Sequence, residues 1–513
     1  MTLSTLEKVA FFQKRSEQIE QGGGKKAITK IHASRRLSAR ERIELLLDKG
    51  SFVELDKFVQ HRCVNFGMNG KDAPCDGVII GYGTVNQRTI FIFAQDFSVI
   101  GGSLGEMHAN KIKKCIEKAK TAGCPVVGLN DSGGARIQEG VEGLAGYGKI
   151  FYSNVMASGI IPQIAAIMGP SAGGAVYSPA LMDFIYIIRQ DYARMFITGP
   201  DIVKAVTGET VSPIELGGAL THNSKSGNAH FAVDTDADCI QEIKYLLSFL
   251  PPNNREKPPV FHCKDPVDRK DDALNTIVPN KRNKAYDMKK LIKHVVDNGE
   301  FYEIQKYFAR NIIICFARMN GSTIGIVANQ PSYLAGCLDI NASDKAARFI
   351  RFCDCFNIPI VTFVDVPGYL PGTEEEFGGI IRHGAKLLYA YPEATVPKIT
   401  VVIRKAYGGA YIGMCSGEGG PDMVIAWPSA EIAVMGADGA SKIIFRKEEK
   451  ATREKLTMEY VERFSSPYMA AERGYVDLII EPKETRATII RALEMLAEKK
   501  IRQPERKHGN MPL

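Results

Sequence analysis

A chain of 513 residues is long enough for two or three domains with their own hydrophobic cores. Its 45% hydrophobic and 24% charged residues are close to globular averages, which argues against disordered, collagen-like and coiled-coil classes. Its 65 basic and 58 acidic side chains leave a net charge of +7, too low for a nucleic-acid-binding protein unless a basic stripe is concentrated somewhere.

The cysteines and the N-terminus indicate a cytoplasmic protein with reduced thiols and no metal. Its 11 cysteines are an odd number, and the tight pair Cys353 and Cys355 lacks the two-residue spacing of zinc and thioredoxin motifs. The N-terminus has no apolar run of signal-peptide length. Prolines interrupt the uncharged stretch between Lys149 and Asp183, so we expect strands and turns there and no membrane insertion.

Both ends of the chain are predicted to be helical. Residues 1–56 are expected to pack on the domain that follows, with Ser38 and Glu41 at capping-box spacing. A C-terminal amphipathic helix is expected to pack on the body of the protein or on a neighbouring subunit. Its apolar face is formed by Ala487, Ile490, Leu493 and Leu496.

An internal repeat indicates two domains of one architecture. At an offset of 234 residues Gly102 aligns with Gly336, and at 235 the run Gly173-Gly174-Ala175 aligns with Gly408-Gly409-Ala410. Residues 251–284 are polar and proline-rich, which is typical of a linker. We therefore predict domains at 57–250 and 285–513. Further identical pairs are Ala94 and Ala328, Pro125 and Pro359, Asp131 and Asp365, Gly134 and Gly368, and Pro162 and Pro397.

Each half alternates helical and strand patterns. Residues 111–121 and 343–355 have helical periodicity, and they precede apolar runs at 126–129 and 358–364 that are typical of buried strands. This alternation predicts βαβ units, and hence an α/β fold with a parallel sheet in each half.

ATP hydrolysis and zinc proteolysis have little support, because the sequence contains neither a P-loop nor an H-E-x-x-H motif. Gly169-Pro-Ser-Ala-Gly173 matches the short nucleophile-elbow pattern of serine hydrolases. Ser171 would then be the nucleophile. The repeat disfavours this hypothesis, since Ala406 stands at the equivalent position of the second half.

The two halves share a strand, a turn and then Gly-Gly-Ala at the start of a predicted helix. Backbone amides in such turns can face a ligand and hold an oxyanion, which stabilises an enolate or a tetrahedral oxygen. Two such turns would give two oxyanion sites. The alternative is that these glycines only permit close packing of helix and strand.

Several long motifs resemble the carboxyltransferase (β) subunit of biotin-dependent acyl-CoA carboxylases, of the propionyl-CoA carboxylase β type. The resemblance covers nearly the whole chain. It implies two duplicated crotonase (ClpP/crotonase-like) domains and a homo-hexamer, a trimer of dimers. The motifs are Leu37-Ser-Ala-Arg-Glu-Arg-Ile, Gln95-Asp-Phe-Ser-Val-Ile-Gly-Gly-Ser-Leu-Gly105, Leu129-Asn-Asp-Ser-Gly-Gly-Ala-Arg136, Gly169-Pro-Ser-Ala-Gly-Gly-Ala175, Phe363-Val-Asp-Val-Pro-Gly368 and Lys405-Ala-Tyr-Gly-Gly-Ala-Tyr411.

The resemblance also implies the reaction, in which carboxybiotin gives its carboxyl group to the α-carbon of a short-chain acyl-CoA. By motif position, Gly173 and Gly174 serve the thioester oxygen, and Gly409 and Ala410 serve the biotin ureido oxygen. Released biotin takes the α-proton, so Asp131, Asp365 and Glu139 have structural roles. Further substrate-binding positions are Gly101, Gly102, Ser132, Gly133, Gly134, Gly368, Gly408 and Ile412.

The partners implied are a biotin carboxylase and a biotin carboxyl carrier protein on separate chains, because no biotinylation motif or ATP-binding segment is present. CoA phosphates make a basic N-terminal cluster a candidate contact, although a solvated helix face is the simpler interpretation. That cluster is Lys25, Lys26, Lys30, Arg35, Arg36 and Arg40.

The acyl preference and the direction of transfer stay open. Ile412 stands where propionyl-selective members usually have Asp, Ser171 where Cys is common, and residues 416–421 lack a Lys usual in that loop. The carboxyltransferase of a sodium-pumping methylmalonyl-CoA decarboxylase, or of a transcarboxylase, has nearly the same motifs. A crotonase-type hydratase or isomerase and a non-catalytic scaffold are the remaining alternatives.

Overall fold

The protein consists of two compact units, one ending at Glu256 and the other beginning at Lys257. The computed structural model describes residues 4–513, without the side chains of residues 461–463. The boundary between the two units falls within residues 251–284, the stretch with linker composition. No helix within residues 4–513 is both long enough and apolar enough to cross a bilayer.

The first unit has ten helices and nine strands among its described residues. The helices are α1 (Thr5–Glu20), α2 (Lys25–Ala33), α3 (Ala39–Leu46), α4 (Glu106–Ala122), α5 (Val141–Ala157), α6 (Tyr177–Leu181), α7 (Pro200–Thr207), α8 (Pro213–Gly217), α9 (Ala219–Ser224) and α10 (Asp236–Leu247). The strands are β1 (Val53–Leu55), β2 (Val78–Val85), β3 (Arg88–Gln95), β4 (Val126–Asn130), β5 (Gln163–Ile167), β6 (Pro170–Ala172), β7 (Phe184–Ile188), β8 (Arg194–Phe196) and β9 (Phe231–Val233).

Seven of these strands form one sheet in the order β1-β2-β3-β4-β5-β7-β9. The pairs β1–β2 and β2–β3 are antiparallel, and all later neighbours are parallel. Helices α4 and α5 form the crossovers between β3, β4 and β5 and bury apolar faces on the sheet, where Ile112, Ile116 and Ile150 join the core. The short strands β6 and β8 pair separately.

The second unit repeats this plan. Its helices are α11 (Leu274–Ile277), α12 (Met288–Val295), α13 (Ile340–Cys355), α14 (Thr373–Gly378), α15 (Ile380–Glu393), α16 (Gly408–Gly413), α17 (Ala437–Ile444), α18 (Lys450–Phe464), α19 (Pro467–Glu472) and α20 (Thr485–Met495). Its strands are β10 (Phe301–Ile304), β11 (Ile312–Met319), β12 (Ser322–Asn329), β13 (Ile360–Val366), β14 (Lys398–Tyr407), β15 (Met423–Ala426), β16 (Glu431–Ala433) and β17 (Leu478–Ile479).

The second sheet has the order β10-β11-β12-β13-β14-β15-β17, with β16 paired to β14. It too begins with antiparallel neighbours and becomes parallel after β12. The long strand β14 combines the roles of β5 and β6, since its last residues pair with β16 as β6 pairs with β8. The predicted α/β class with a parallel sheet in each half is therefore confirmed.

The helical predictions at both ends are also confirmed. Ser38 and Glu41 form a capping box at the start of α3. Helix α20 buries Ala487 and Ile490 in the core of the second unit, with Leu493 and Leu496 packed against that core. The C-terminal helix thus packs on its own body.

A buried carboxylate at the end of β4 ties the N-terminal segment to the first sheet. Asp131 accepts hydrogen bonds from Arg36 and, at 2.9 Å, from Arg42, which also contacts Asp236 at 2.7 Å. Arg40 pairs with Glu54 at 2.9 Å. Arg36 and Arg40 are therefore occupied within the fold, which argues against CoA phosphates as their partners.

We predict that Arg42→Met lowers the stability of the first unit by about 3–5 kcal/mol, because it leaves two carboxylates without this buried cation. The matched control is Arg189→Met, since Arg189 forms a partly exposed ion pair with Asp234 and such pairs contribute about 0–1 kcal/mol. Calorimetric melting temperatures of both variants test this, and equal shifts would contradict it.

Candidate active site

The residues predicted to bind substrate lie where parallel strands end. In open α/β sheets ligands bind outside the carboxyl ends of the strands. In the first unit the turn Ile100–Gly102 follows β3, residues 131–134 follow β4, and the turn Gly173–Val176 follows β6. In the second unit the turn Leu334–Gly336 follows β12, Gly368 follows β13 and α16 follows β14.

Close backbone contacts join the loops of the first unit. The Gly133 amide donates to the Gly101 carbonyl at 2.9 Å, and the Ser132 amide donates to the Pro170 carbonyl at 2.9 Å. A Cβ on Gly102 would lie 2.2 Å from the Asp131 carbonyl oxygen, so only glycine fits there. The structure thus brings Gly101, Gly102, Ser132 and Gly133 together.

Gly134 links this cluster to the turn after β6. Its amide donates to the Ser132 hydroxyl at 3.1 Å. A Cβ on Gly134 would lie 3.2 Å from the carbonyl oxygen of Ala172, the residue before Gly173. The predicted acyl-CoA positions of the first unit are therefore neighbours.

The amides of this turn are not equivalent. The Gly173 amide already donates to the Ile197 carbonyl at 3.1 Å. The turn is a 3₁₀ helix that begins at Gly173, so the Ala175 amide donates to the Ala172 carbonyl as its first i→i−3 bond. The Gly174 amide lies ahead of that bond without an intrahelical acceptor. Gly173 has a positive φ of 60°, and of the predicted pair Gly173 and Gly174 it is the second whose amide is available to a ligand.

Tyr147 on α5 packs directly on Gly174. A Cβ on Gly174 would lie 2.7–2.8 Å from three carbon atoms of the Tyr147 ring. The tyrosine is 5% exposed, and burial raises the pKa of its hydroxyl, which therefore stays protonated at neutral pH. The Tyr147 ring thus packs against the Gly173–Val176 turn and leaves no room for a side chain at position 174, which explains why a glycine stands there.

The equivalent turn of the second unit is open. Gly408 has a positive φ of 56°, like Gly173, whereas a Cβ on Gly409 would have no atom within 4 Å. The amides of Gly409 and Ala410 open α16 and have no acceptor among the described residues. Both predicted donors of this turn are therefore available.

A cavity of 610 Å³ adjoins this second turn. Gly408, Gly409 and Ile412 line it, and Ile412 is 49% exposed. Gly368 lies on the neighbouring loop, where its carbonyl accepts a hydrogen bond from the Leu338 amide at 3.1 Å. The cavity wall also includes the charged Glu418 and Arg473 and several aromatic and apolar residues: Ile432, Tyr460, Phe464, Met469 and Tyr475.

The three acidic residues predicted to have structural roles, Asp131, Asp365 and Glu139, are occupied by structural contacts. Asp365 accepts from Arg404 Nε at 3.0 Å and from the Lys405 amide at 3.1 Å. Burial raises the pKa of Asp365, as it does the pKa of Asp131. Glu139 accepts from the Glu106 amide at 2.6 Å, at the start of α4, and from Arg136 at 2.8 Å. These contacts support the structural roles expected for the three carboxylates.

Ser171 is fully buried on β6, and its hydroxyl has no hydrogen-bond partner among the described residues. A nucleophilic serine needs an adjacent base and access to substrate. The serine-hydrolase hypothesis therefore gains no support from the structure. Within residues 4–513, no group of three or more His, Cys, Asp or Glu side chains is placed to hold a metal ion.

Sequence reasoning missed Tyr147 and Ile197. Tyr147 lies on a helix 27 positions before Gly174, and no local pattern indicates that its ring faces that glycine. Ile197 contributes a backbone carbonyl, which any residue type carries. Neither contact has a signal in a single sequence.

Comparisons with known proteins agree with this arrangement. The family model described as the carboxyl transferase domain matches residues 30–511. The methylmalonyl-CoA decarboxylase subunit alpha of Veillonella parvula is 59% identical over 507 residues, covering 99% of each chain. The mitochondrial propionyl-CoA carboxylase beta chain of Homo sapiens is 57% identical over 494 residues, covering 96% of this chain and 91% of that one.

A solved structure extends the comparison to the fold. The crystal structure of transcarboxylase 12S, described as a hexamer assembly with methylmalonyl-coenzyme A and methylmalonic acid bound, has a TM-score of 0.98 and 51% identity and covers 100% of both chains. The predicted crotonase-like fold with two sheet domains is thereby confirmed.

The two turns predict different responses to the same substitution. We expect Gly174→Ala to lower the melting temperature, because its Cβ would overlap the Tyr147 ring. Gly409→Ala should leave it unchanged, since open space surrounds that position. Equal melting temperatures for the two variants in a thermal scan would contradict this difference.

Proposed function

Because this chain belongs to the carboxyl transferase family, we propose that it is the carboxyltransferase subunit of a biotin-dependent acyl-CoA carboxylase. It would move a carboxyl group between carrier-bound carboxybiotin and the α-carbon of a short-chain acyl-CoA such as acetyl-CoA or propionyl-CoA. The observation that carries the proposal is the duplicated glycine turn, which leaves backbone amides without acceptors in each unit.

The chemistry of carboxyl transfer needs two anion sites. Negative charge develops on the thioester oxygen when the α-carbon loses its proton, and on the ureido oxygen of biotin when the carboxyl group leaves its nitrogen. Preorganised amides stabilise such oxygens, and removing one donor typically costs about 10²–10³ in rate. We assign the amide of Gly174, from the predicted pair Gly173 and Gly174, to the thioester oxygen and those of Gly409 and Ala410 to the ureido oxygen.

The remaining predicted residues shape the two substrate sites. Gly101, Gly102, Ser132, Gly133 and Gly134 support the acyl-CoA side, Gly368 and Gly408 line the biotin side, and Ile412 contacts the acyl group that exchanges the carboxyl. We assign removal of the α-proton to the ureido nitrogen of biotin after it has released its carboxyl group. This fits Asp131, Asp365 and Glu139, which accept hydrogen bonds from arginines and backbone amides.

We further propose that the chain acts in the cytoplasm as a homo-hexamer with a biotin carboxylase and a biotin carrier protein on separate chains. The hexameric description of the transcarboxylase 12S structure, which covers 100% of this chain, supports the assembly. The domain organisation proposed is a helical segment at 1–56, an acyl-CoA domain at 57–250, a linker at 251–284 and a biotin domain at 285–513.

A second candidate function has a specific observation in its favour. Methylmalonyl-CoA decarboxylase alpha subunits from Veillonella parvula and Propionigenium modestum are 59% and 56% identical to this chain over 99% of its length. The same two anion sites would then remove a carboxyl group from methylmalonyl-CoA and pass it to biotin. The proteins that co-purify with the chain decide between these directions: a biotin carboxylase, a membrane pump or a second carboxyltransferase.

Substitution at Gly409 tests the proposed function. We predict that Gly409→Val reduces transfer of the carboxyl group of methylmalonyl-CoA to free biotin by at least about 10², because the side chain covers the amide donors. Ser171→Ala is the control and should keep most of its activity. Loss of turnover in Ser171→Ala with full activity in Gly409→Val would reverse the assignment.

Substitution at Ile412 tests the acyl preference. Ile412 lines the cavity beside the biotin turn, and a difference of one methylene group in a pocket is typically worth about 10–200-fold in rate. We predict that Ile412→Asp changes the ratio of decarboxylation rates for malonyl-CoA and methylmalonyl-CoA by at least about tenfold. An unchanged ratio would remove Ile412 from the determinants of acyl preference.

A further inference from the structure

The second unit contains a cavity of 410 Å³ that the proposed reaction does not use. It lies beside Pro359 and Pro397, which immediately precede β13 and β14, and so at the amino ends of these strands. Gly408 follows the opposite end of β14. At about 3.3 Å per residue, the 10 residues of that strand separate the cavity from the Gly408 turn by roughly 30 Å.

The walls of this cavity come from several segments of the second unit and combine apolar and polar side chains. Helix α20 contributes one side, the ends of β11 and β12 another, and residues 257–260, 357–359, 395–397 and 499–501 complete it. The apolar lining residues are Val260, Met319, Ile324, Ile490, Leu493 and Leu496. Leu and Met side chains of this kind adapt to an unbranched chain.

Such a volume is too large for a packing defect. Protein interiors contain few voids larger than one water molecule. At about 30 Å³ per water the cavity would hold about 14 waters, and its apolar side chains offer them no hydrogen bonds. A volume of 410 Å³ lies instead within the usual range of small-molecule sites, about 300–1,000 Å³.

Thr323 adds a polar group to this apolar surface. It lines the cavity and is 2% exposed, and its hydroxyl has no hydrogen-bond partner among the described residues. A buried hydroxyl without a partner costs about 1–3 kcal/mol. A polar atom of a bound ligand would satisfy it.

The charged lining residues favour an anion. Lys257, Lys499 and Lys500 line the cavity, against one acid, Glu494. Lys499 already contacts Asp422 at 2.7 Å, and Lys257 lies 3.8 Å from the exposed Glu498. Lys500 is exposed and has no ion pair among the residues that the structure describes. Lys500 and Glu494 are therefore the two charged lining residues without an ion pair among the described residues, and Lys500 is the cation that a carboxylate can reach.

We propose that this cavity binds an unbranched aliphatic carboxylate of medium chain length. The hydrocarbon chain lies among the apolar side chains of α20 and β12, and the carboxylate accepts hydrogen bonds from Thr323 and Lys500. The site is separate from both anion turns, so binding does not depend on carboxyl transfer.

The test uses the full-length protein and sodium decanoate below its micelle-forming concentration. We expect saturable binding by calorimetry, one decanoate per chain, and a higher melting temperature. Decylamine and 1-decanol, which lack the negative charge, should bind at least fivefold more weakly, and acetate, which lacks the chain, should not bind. Absence of saturable decanoate binding, or equal binding of decylamine, would overturn the proposal.

Matched variants locate the site. Leu493→Trp fills the cavity and should weaken decanoate binding at least tenfold, whereas Met495→Trp, on the exposed side of the same helix, should not. Lys500→Glu should weaken it at least threefold, and the exposed Lys507→Glu should have no effect. Carboxyl transfer should be unchanged in all four. Equal decanoate affinities within either pair would place the binding elsewhere and overturn the proposal.

A conservative variant keeps the test decisive if Leu493→Trp does not fold. Thr323→Val has nearly the same shape and removes the unpaired hydroxyl, so it should retain or raise the melting temperature. We expect at least a threefold loss of decanoate affinity. Unchanged affinity in this variant would contradict the proposed head-group contact.

Discussion

A buried carboxylate beside the site loops is the constraint on which each half of the site depends. Asp131 directly follows β4 in the first sheet, and Asp365 is the equivalent residue near the end of β13 in the second sheet. The backbone carbonyl of each lies against a glycine of the preceding turn, Gly102 or Gly336, where a Cβ would approach to 2.2 or 2.6 Å. Each Asp amide in turn donates to a side-chain amide oxygen, that of Gln95 or Asn329, at 3.1 Å. An ionised carboxylate can remain there only with a partner.

The two units supply that partner differently. In the second unit Arg404 projects from β14 and contacts Asp365 at 3.0 Å. In the first unit the equivalent position is Gly169, where a Cβ would lie 1.9 Å from the Asp131 carboxylate. That space is used by Arg36 and Arg42 from the N-terminal segment. The N-terminal segment outside the repeat thus supplies the positive charges that pair with Asp131. This ion pairing explains why the segment packs on the first unit.

Much of this arrangement is predictable from one sequence, because the internal repeat shows which turns of the two halves are equivalent. Identical glycines at one offset indicate equivalent turns, and helical and strand periodicities give α4, α13, β4 and β13 to within a few residues. What the sequence does not predict are contacts between distant side chains or backbone atoms. The basic residues Arg36 and Arg40 look like a surface cluster until burial is known, and the Gly173 amide looks available until the Ile197 carbonyl is located 3.1 Å away. The 410 Å³ cavity likewise arises from separate segments that share no local pattern.

The most direct test of the central claim, that the two turns hold different anions, is a pair of equilibrium binding measurements on Gly409→Val. We expect the variant to keep the affinity of the unsubstituted protein for a CoA ester and to lose at least tenfold in affinity for a biotinylated carrier peptide. Loss of CoA-ester affinity with biotin binding retained would contradict the assignment of the turns.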